Sequence, residues 1–196
     1  MHCIFIITFS RSRKRQRENM RAFSGKRQIR IRKGTYCIRR IFAAGRVINM
    51  SSVGGRFSAP FLGAYAASKH ALEGASESLR RELQLYGIEV ILIEPGFVNT
   101  PILDKAIQED YSRYRETDYG PIIDRFVSWF IGEGRKGMKP EVVGEAVYTA
   151  LTHQNPQVCY TLVQQKWKNW TLPRLLPKRM VDRAIGKQLG LIKRDR

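Results

Sequence analysis

The sequence predicts an α/β chain with a parallel sheet, and three runs of residues carry that expectation. Val47-Ile48-Asn49-Met50 is a short apolar run ending in Ser51-Ser52 and the glycines Gly54 and Gly55, as expected of a buried strand that opens into a loop. Leu72, Ala75, Leu79 and Leu83 recur at helical spacing, which predicts one packed face on a helix from about Gly63 to Tyr86, stopped by Gly87. Ile88-Glu89-Val90-Ile91-Leu92-Ile93 then reads as a second strand, so the three runs form a strand, helix, strand unit of the kind that builds parallel sheets through a right-handed crossover.

Charge divides the chain before any motif does. Its 196 residues are 43% apolar, which suits one globular domain, yet net charge is +18. Residues 1–40 hold thirteen Lys or Arg against the single acid Glu18; residues 41–167 hold thirteen against fourteen acids; residues 168–196 hold nine against two. The middle is near neutral and both ends are basic. From Arg11 to Arg40 there is no sustained apolar period, and Ser24-Gly25 and Lys33-Gly34 interrupt it. Such a stretch buries too little apolar surface to offset its ordering entropy, so residues 1–44 are expected to be a disordered basic leader. Clustered cations can bind nucleic acid or anionic lipid. With no aromatic interleaving and no folded nucleic-acid module, the expectation is instead a solvated tail, or a product of a misplaced start site or altered exon, and nucleic acid is not an expected partner.

Cys3, Cys37 and Cys159 are an odd count without framework spacing, which predicts a reducing compartment and no structural disulfide. No metal-ligand spacing occurs, so no metal is expected. The apolar run Cys3-Ile4-Phe5-Ile6-Ile7 is too short to span a bilayer, and its positive charges follow it rather than precede it. A cytoplasmic protein is expected.

After the second strand, Pro95-Gly96 forces a turn and brings bare backbone close to whatever lies there. Residues 102–138 mix charges with Tyr111, Tyr114, Tyr119, Phe126, Trp129 and Phe130, which reads either as an irregular cover or as ordinary core helices. Pro140-Glu141 opens a helix to about His153, and Val158-Cys159-Tyr160-Thr161-Leu162-Val163 reads as a last strand. In residues 167–196, Trp167, Trp170, Leu172, Leu175, Leu176, Met180, Val181, Ile185, Leu189 and Leu191 alternate with Lys and Arg. A basic amphipathic tail of this kind suits an anionic membrane surface, placing the protein peripherally on a membrane, or a partner subunit in a homo-oligomer. His70 and His153 have no partner suggested by spacing and are expected to be structural or superficial.

The chemistry sits between the first two runs. Tyr65 and Lys69 are four residues apart, so on a helix the phenol and the ammonium share a face. A fixed cation beside a phenol favours the phenolate, which equips a tyrosine for proton transfer. Ser52, at the end of the strand, can meet the same substrate oxygen. An ordinary strand-to-helix turn would account for Pro95 and Gly96 alone, but not for their pairing with these three residues.

Taken together, Gly45-Arg46-Val47-Ile48-Asn49-Met50-Ser51-Ser52, Tyr65-Ala66-Ala67-Ser68-Lys69 and Glu94-Pro95-Gly96-Phe97-Val98-Asn99-Thr100 resemble the short-chain dehydrogenase/reductase family, and within it the retinol and hydroxysteroid dehydrogenase branch. The resemblance covers residues 45–165. It implies that residues 45–196 are the C-terminal portion of a doubly wound, Rossmann-like domain, with 102–138 as a substrate lid. It implies hydride transfer between NAD or NADP and a small lipophilic alcohol or ketone. Tyr65 would exchange the proton with the substrate oxygen, Ser52 would orient that oxygen, and Lys69 would also hold the nicotinamide ribose; Pro95, Gly96, Val98 and Thr100 would flank the nicotinamide ring.

One departure shapes the functional expectation. Members begin with a strand and a glycine-rich turn that holds the cofactor phosphates at a helix N-terminus. Residues 1–44 contain no Gly-x-x-x-Gly-x-Gly and no Asn-Asn-Ala-Gly, and neither Ser24 nor Gly25 supplies the asparagine of the family's catalytic tetrad. Weak cofactor binding and impaired turnover are expected of this chain, and Val47–Met50 is expected to be a sheet edge. The alternative is a non-catalytic fragment that binds a complete family member.

Overall fold

The computed structural model describes residues 45–108 and 110–192; the expected leader, with Cys3 and Cys37, lies outside the described residues. Strands β1 (Gly45–Met50), β2 (Ile88–Pro95) and β3 (Cys159–Leu162) form a parallel sheet in that order. Val47 lies opposite Val90, and Leu92 lies opposite Cys159. Among the described residues β1 has β2 as its one sheet neighbour.

Alternation along each strand sends side chains to two covered faces. Val47, Ile88 and Val90 pack against Leu79 and Leu83 of helix α1 (Gly63–Leu83). Ile48, Ile91 and Ile93 pack on the other face against Val143, Val147, Ala150 and Leu151, which belong to the helix over Pro140–Thr152. Both faces being covered explains why Ile88–Ile93 is almost continuously apolar. Ile91 and Ile93 are essentially inaccessible, and each such side chain contributes about 1.5–3 kcal/mol.

Helix α1 ends in a 3-10 turn over Gln84–Tyr86, and Gly87 closes it in the left-handed region at φ 63°. Its inward stripe differs from the expected one. Ala75 is exposed and Leu72 half-buried, while Ala66, Lys69, Glu73, Ser76 and Leu83 are buried. The reason is geometric. Helix α1 runs antiparallel along β1, so Leu83 meets apolar Val47, Ser76 accepts a hydrogen bond from Asn49 Nδ2 at 2.8 Å, and Lys69 reaches Met50 at the carboxyl end of the strand. Apolar packing thus gives way to polar contacts where the strands end.

Residues 102–138 form helices rather than an irregular cover: α2 (Ile102–Gln108), a 3-10 turn at Ser112–Tyr114, and α3 (Gly120–Arg135) with Pro121 in its first turn. Leu103 of α2 packs directly on Gly134 of α3. Helix α4 is Pro140–Thr152. After β3, a π-helical turn at Trp167–Thr171 leads into the short α5 (Leu172–Leu175) and α6 (Lys178–Leu189), which ends at Gly190 in the left-handed region. Trp170 and Leu189 are buried, whereas Trp167, Leu175 and Met180 are exposed.

Candidate active site

The site forms where β1 and β2 end. Ser52 is buried in the loop beyond β1; its Oγ accepts a hydrogen bond from Gly54 N at 3.1 Å and donates to Pro95 O at 3.3 Å. One hydroxyl therefore joins the ends of two strands. The N-terminal turns of α1 bring Tyr65 to the same loop. A Cβ on Gly54 would stand 2.8 Å from Tyr65 Cε1 and 3.5 Å from Ser52 Oγ. The serine hydroxyl and the edge of the phenol ring thus flank one point, and only glycine leaves room there.

Lys69 Nζ lies 5.8 Å from the centroid of the Tyr65 ring and donates to Met50 O at 3.0 Å. Burial lowers its pKa, and the Glu73 carboxylate one turn further along α1 opposes that shift. Gly96 N donates to Leu162 O at 2.8 Å, and a Cβ on Gly96 would stand 3.3 Å from the same oxygen, so the backbone after Pro95 packs closely on the end of β3. The expected site residues therefore divide. Ser52, Tyr65 and Lys69 come together, with Pro95 and Gly96 at their margin. Val98 instead pairs with Met138, and Thr100 O accepts from Leu103 N at 3.2 Å where α2 begins.

Residues not singled out in the sequence lie directly behind this group. Arg56 follows Gly54-Gly55; its Nη2 pairs with Glu73 Oε2 at 3.1 Å and its Nε with Glu94 Oε1 at 3.1 Å. Thr161 Oγ1 donates to Glu94 Oε2 at 2.7 Å. Burial pushes the Glu73 carboxyl up, with the neighbouring Glu94 adding to the shift. Burial also pushes Glu94 up, but the hydrogen bond from Thr161 and the contacts with Arg56 outweigh it and hold Glu94 below the usual carboxylate range. Burial beside Glu94 raises the Cys159 thiol to about 12. The available signal was the spacing of Tyr65, Lys69 and Glu73 at successive four-residue intervals, which puts an acid on the face of the phenol and the ammonium.

A row of aromatic rings runs from Phe61, four residues before Tyr65, to Phe97, next to Gly96. Phe61, at φ 64°, packs its ring 5.2 Å from Phe126 and 6.1 Å from Tyr119; Phe126 lies 5.9 Å from Trp129; Phe97, beside Gly96, lies 5.8 Å from Trp129. A left-handed backbone at a bulky residue costs about 1–2 kcal/mol, which the ring packing offsets. A cavity of about 480 Å³ opens between Pro60 and helix α6, with Arg183, Ile185 and Leu191 in its lining. His70 Nδ1 contacts Ala66 O at 2.9 Å within α1, and His153 Nδ1 contacts Asn155 O at 2.8 Å, so both histidines serve local backbone. Among the described residues there is no cluster of metal-ligating side chains. The geometry can exchange a proton with a substrate oxygen placed between a hydroxyl and a phenol.

A family model described as short chain dehydrogenase matches residues 39–111. The NADPH-dependent 3-dehydrocapnine reductase of Ornithobacterium rhinotracheale is 37% identical over 145 residues, covering 74% of this chain and 51% of that protein. Retinol dehydrogenase 5 of Mus musculus is 31% identical over 154 residues, covering 73% and 48%. The chain spans about half the length of the curated relatives it matches. A short-chain dehydrogenase crystal structure from Streptomyces avermitilis shares the fold, with a TM-score of 0.50 and 24% identity over 76% of this chain and 51% of that one.

Proposed function

Because this chain belongs to the short-chain dehydrogenase family, we propose that it takes part in NAD- or NADP-dependent interconversion of an alcohol and a carbonyl on a lipophilic substrate. The observation that carries this reading is the convergence of Ser52 Oγ and the Tyr65 ring on Gly54, with the Lys69 ammonium buried 5.8 Å from that ring. Tyr65 gives a proton to the substrate oxygen during reduction and takes it back during oxidation. Ser52 turns its single hydroxyl proton from Pro95 O to the same oxygen and orients it. Lys69 supplies a fixed positive charge behind the phenol.

The residues present suit the nicotinamide end of a cofactor. An ammonium has three N–H donors, so Lys69 can hold a ribose hydroxyl besides Met50 O. Gly96 offers backbone unobstructed by a side chain, with Pro95 beside it at the end of β2. The cofactor, when bound, supplies the hydride; the protein supplies position and field. Weak cofactor affinity is part of the proposal, since residues 1–44 contain no glycine-rich phosphate turn. The aromatic row from Phe61 to Phe97 favours an apolar substrate body.

The test is nicotinamide absorbance with the purified chain, millimolar NADH or NADPH and a panel of lipophilic aldehydes and ketones. Tyr65→Phe should lower the rate about 10²–10⁴-fold, the usual size of a general acid–base contribution. Equal rates in the two proteins, or none in either, would overturn the enzymatic reading for this chain. Co-purification with a complete family member would then support the fragment reading.

A further inference from the structure

We propose that Arg56 is a positioning residue: its guanidinium ties the loop carrying Ser52 to the helix carrying Tyr65 and Lys69 and to the strand ending in Pro95, and thereby sets the distances among the reacting groups. This rests on the reading of Ser52, Tyr65 and Lys69 given above.

Three segments meet at this one side chain. Arg56 lies four residues after Ser52, Glu73 lies one helical turn beyond Lys69, and Glu94 immediately precedes Pro95. Arg56 pairs with both acids at 3.1 Å, using Nη2 for Glu73 and Nε for Glu94. The two carboxylates are almost fully buried, at 6% and 1% exposure, so neither can turn to solvent if the guanidinium leaves. Arginine suits this place because Nε donates a hydrogen bond to Glu94 Oε1 while the Nη2 end of the same rigid cation forms an ion pair with Glu73, a two-ended reach that a lysine point charge lacks.

The loop backbone is equally constrained. A Cβ on Gly55 would stand 2.9 Å from both Glu73 Cγ and Ser51 Oγ, so the turn following Ser52 rests directly on the acid of α1. Charged or titratable groups facing Glu73 are Arg56 from the loop, Glu94 from β2, Lys69 from its own helix and Cys159 from β3. With Arg56 and Lys69 cationic, two carboxylates are balanced. Without Arg56 the acids face each other across the helix–strand contact, and repulsion pushes α1 away from β2 one turn beyond Lys69 and next to Pro95.

The experiment compares the full chain with Arg56→Gln, Arg56→Lys and the double variant Arg56→Gln/Glu73→Gln. It reads kcat and KM below the melting temperature, and amide exchange in wild type and variants. Arg56→Gln should lower kcat about 10- to 100-fold with a smaller change in KM, as expected when reacting groups are displaced. Arg56→Lys should fall between it and wild type, and adding Glu73→Gln should recover part of the loss by removing the uncompensated buried charge. In parallel, exchange at residues 53–57 and 65–73 should rise at least tenfold in Arg56→Gln while residues 91–93 stay unchanged. A folded Arg56→Gln protein with wild-type kcat, or with wild-type exchange in both segments, would overturn the proposal. The exchange readout decides it even if wild type shows no turnover, which would overturn only the enzymatic reading; Arg56→Lys decides it if Arg56→Gln does not fold.

Discussion

Lys69 Nζ donates a hydrogen bond to the carbonyl of Met50 at 3.0 Å, which pins the cation of helix α1 to the last residue of strand β1. Lys69→Met keeps the length of the side chain but removes the donor, leaving a half-buried carbonyl short of a partner. The expected loss is about 1–3 kcal/mol of stability, seen as a lower melting temperature. Lys69→Arg is not expected to restore wild-type behaviour, because the larger planar head does not fit a site built for a compact ammonium.

Gly54 separates Ser52 from Tyr65, and a methyl group there would press on Tyr65 Cε1 at 2.8 Å. Gly54→Ala should therefore shift the phenol relative to the serine hydroxyl. A displacement approaching 1 Å costs up to about 10²-fold in rate. Far-ultraviolet dichroism should match wild type while the nicotinamide-linked rate falls; an unchanged rate would show that the two groups need not stay this close.

Glu94 makes acid stability testable. Its carboxyl is held below the usual value of 4.5 in the folded chain, despite burial, by Thr161 and Arg56. A group with a depressed folded pKa contributes stability that is present above its unfolded pKa and lost as pH falls through the folded one. Wild type should therefore lose stability on acidification below about 4.5, and Glu94→Gln should show a shallower decline over that window together with lower stability at pH 7. Denaturant midpoints measured from pH 7 down to pH 3 would check both.

We propose that the tail docks on anionic lipid. Trp167, Leu175 and Met180 are 66%, 69% and 54% exposed, and Lys166, Arg174, Lys178 and Arg179 stand among them. No helix among the described residues is long and apolar enough to cross a membrane; exposed apolar side chains interleaved with cations suit binding at a lipid surface. The chain should sediment with phosphatidylserine vesicles and much less with phosphatidylcholine, and added salt should release it. Lys178→Glu with Arg179→Glu should lower partitioning about tenfold or more, at about 1 kcal/mol per basic residue. Equal sedimentation with both lipids would reject the idea.

Much of the architecture was legible because it is written in local periodicity. The apolar run at Val47–Met50, the β-branched run at Ile88–Ile93 and the Pro140 helix start each appear within a residue or two of the observed element. Residues 102–138 were harder, since aromatic residues mixed with charges suit a loop and an amphipathic helix equally until a surface is present for them to pack on. Arg46 shows the same limit. Its guanidinium is buried, pairs with Glu89 and donates to the Ala150 and Leu151 carbonyls at the end of α4, more than a hundred residues away.

Sequence alone determined that a phenol, an ammonium and a serine hydroxyl belong to one strand, helix, strand unit, because four-residue spacing on a helix fixes which side chains are neighbours. Tertiary structure decided what that helix turns inward. Leu72 and Ala75 yielded the buried stripe to Lys69, Glu73 and Ser76 because α1 lies along β1, and at the carboxyl end of that strand backbone carbonyls and carboxylates wait for partners instead of apolar side chains. The meeting of Arg56 with Glu94, 38 residues further on, exists only once the sheet brings their segments together.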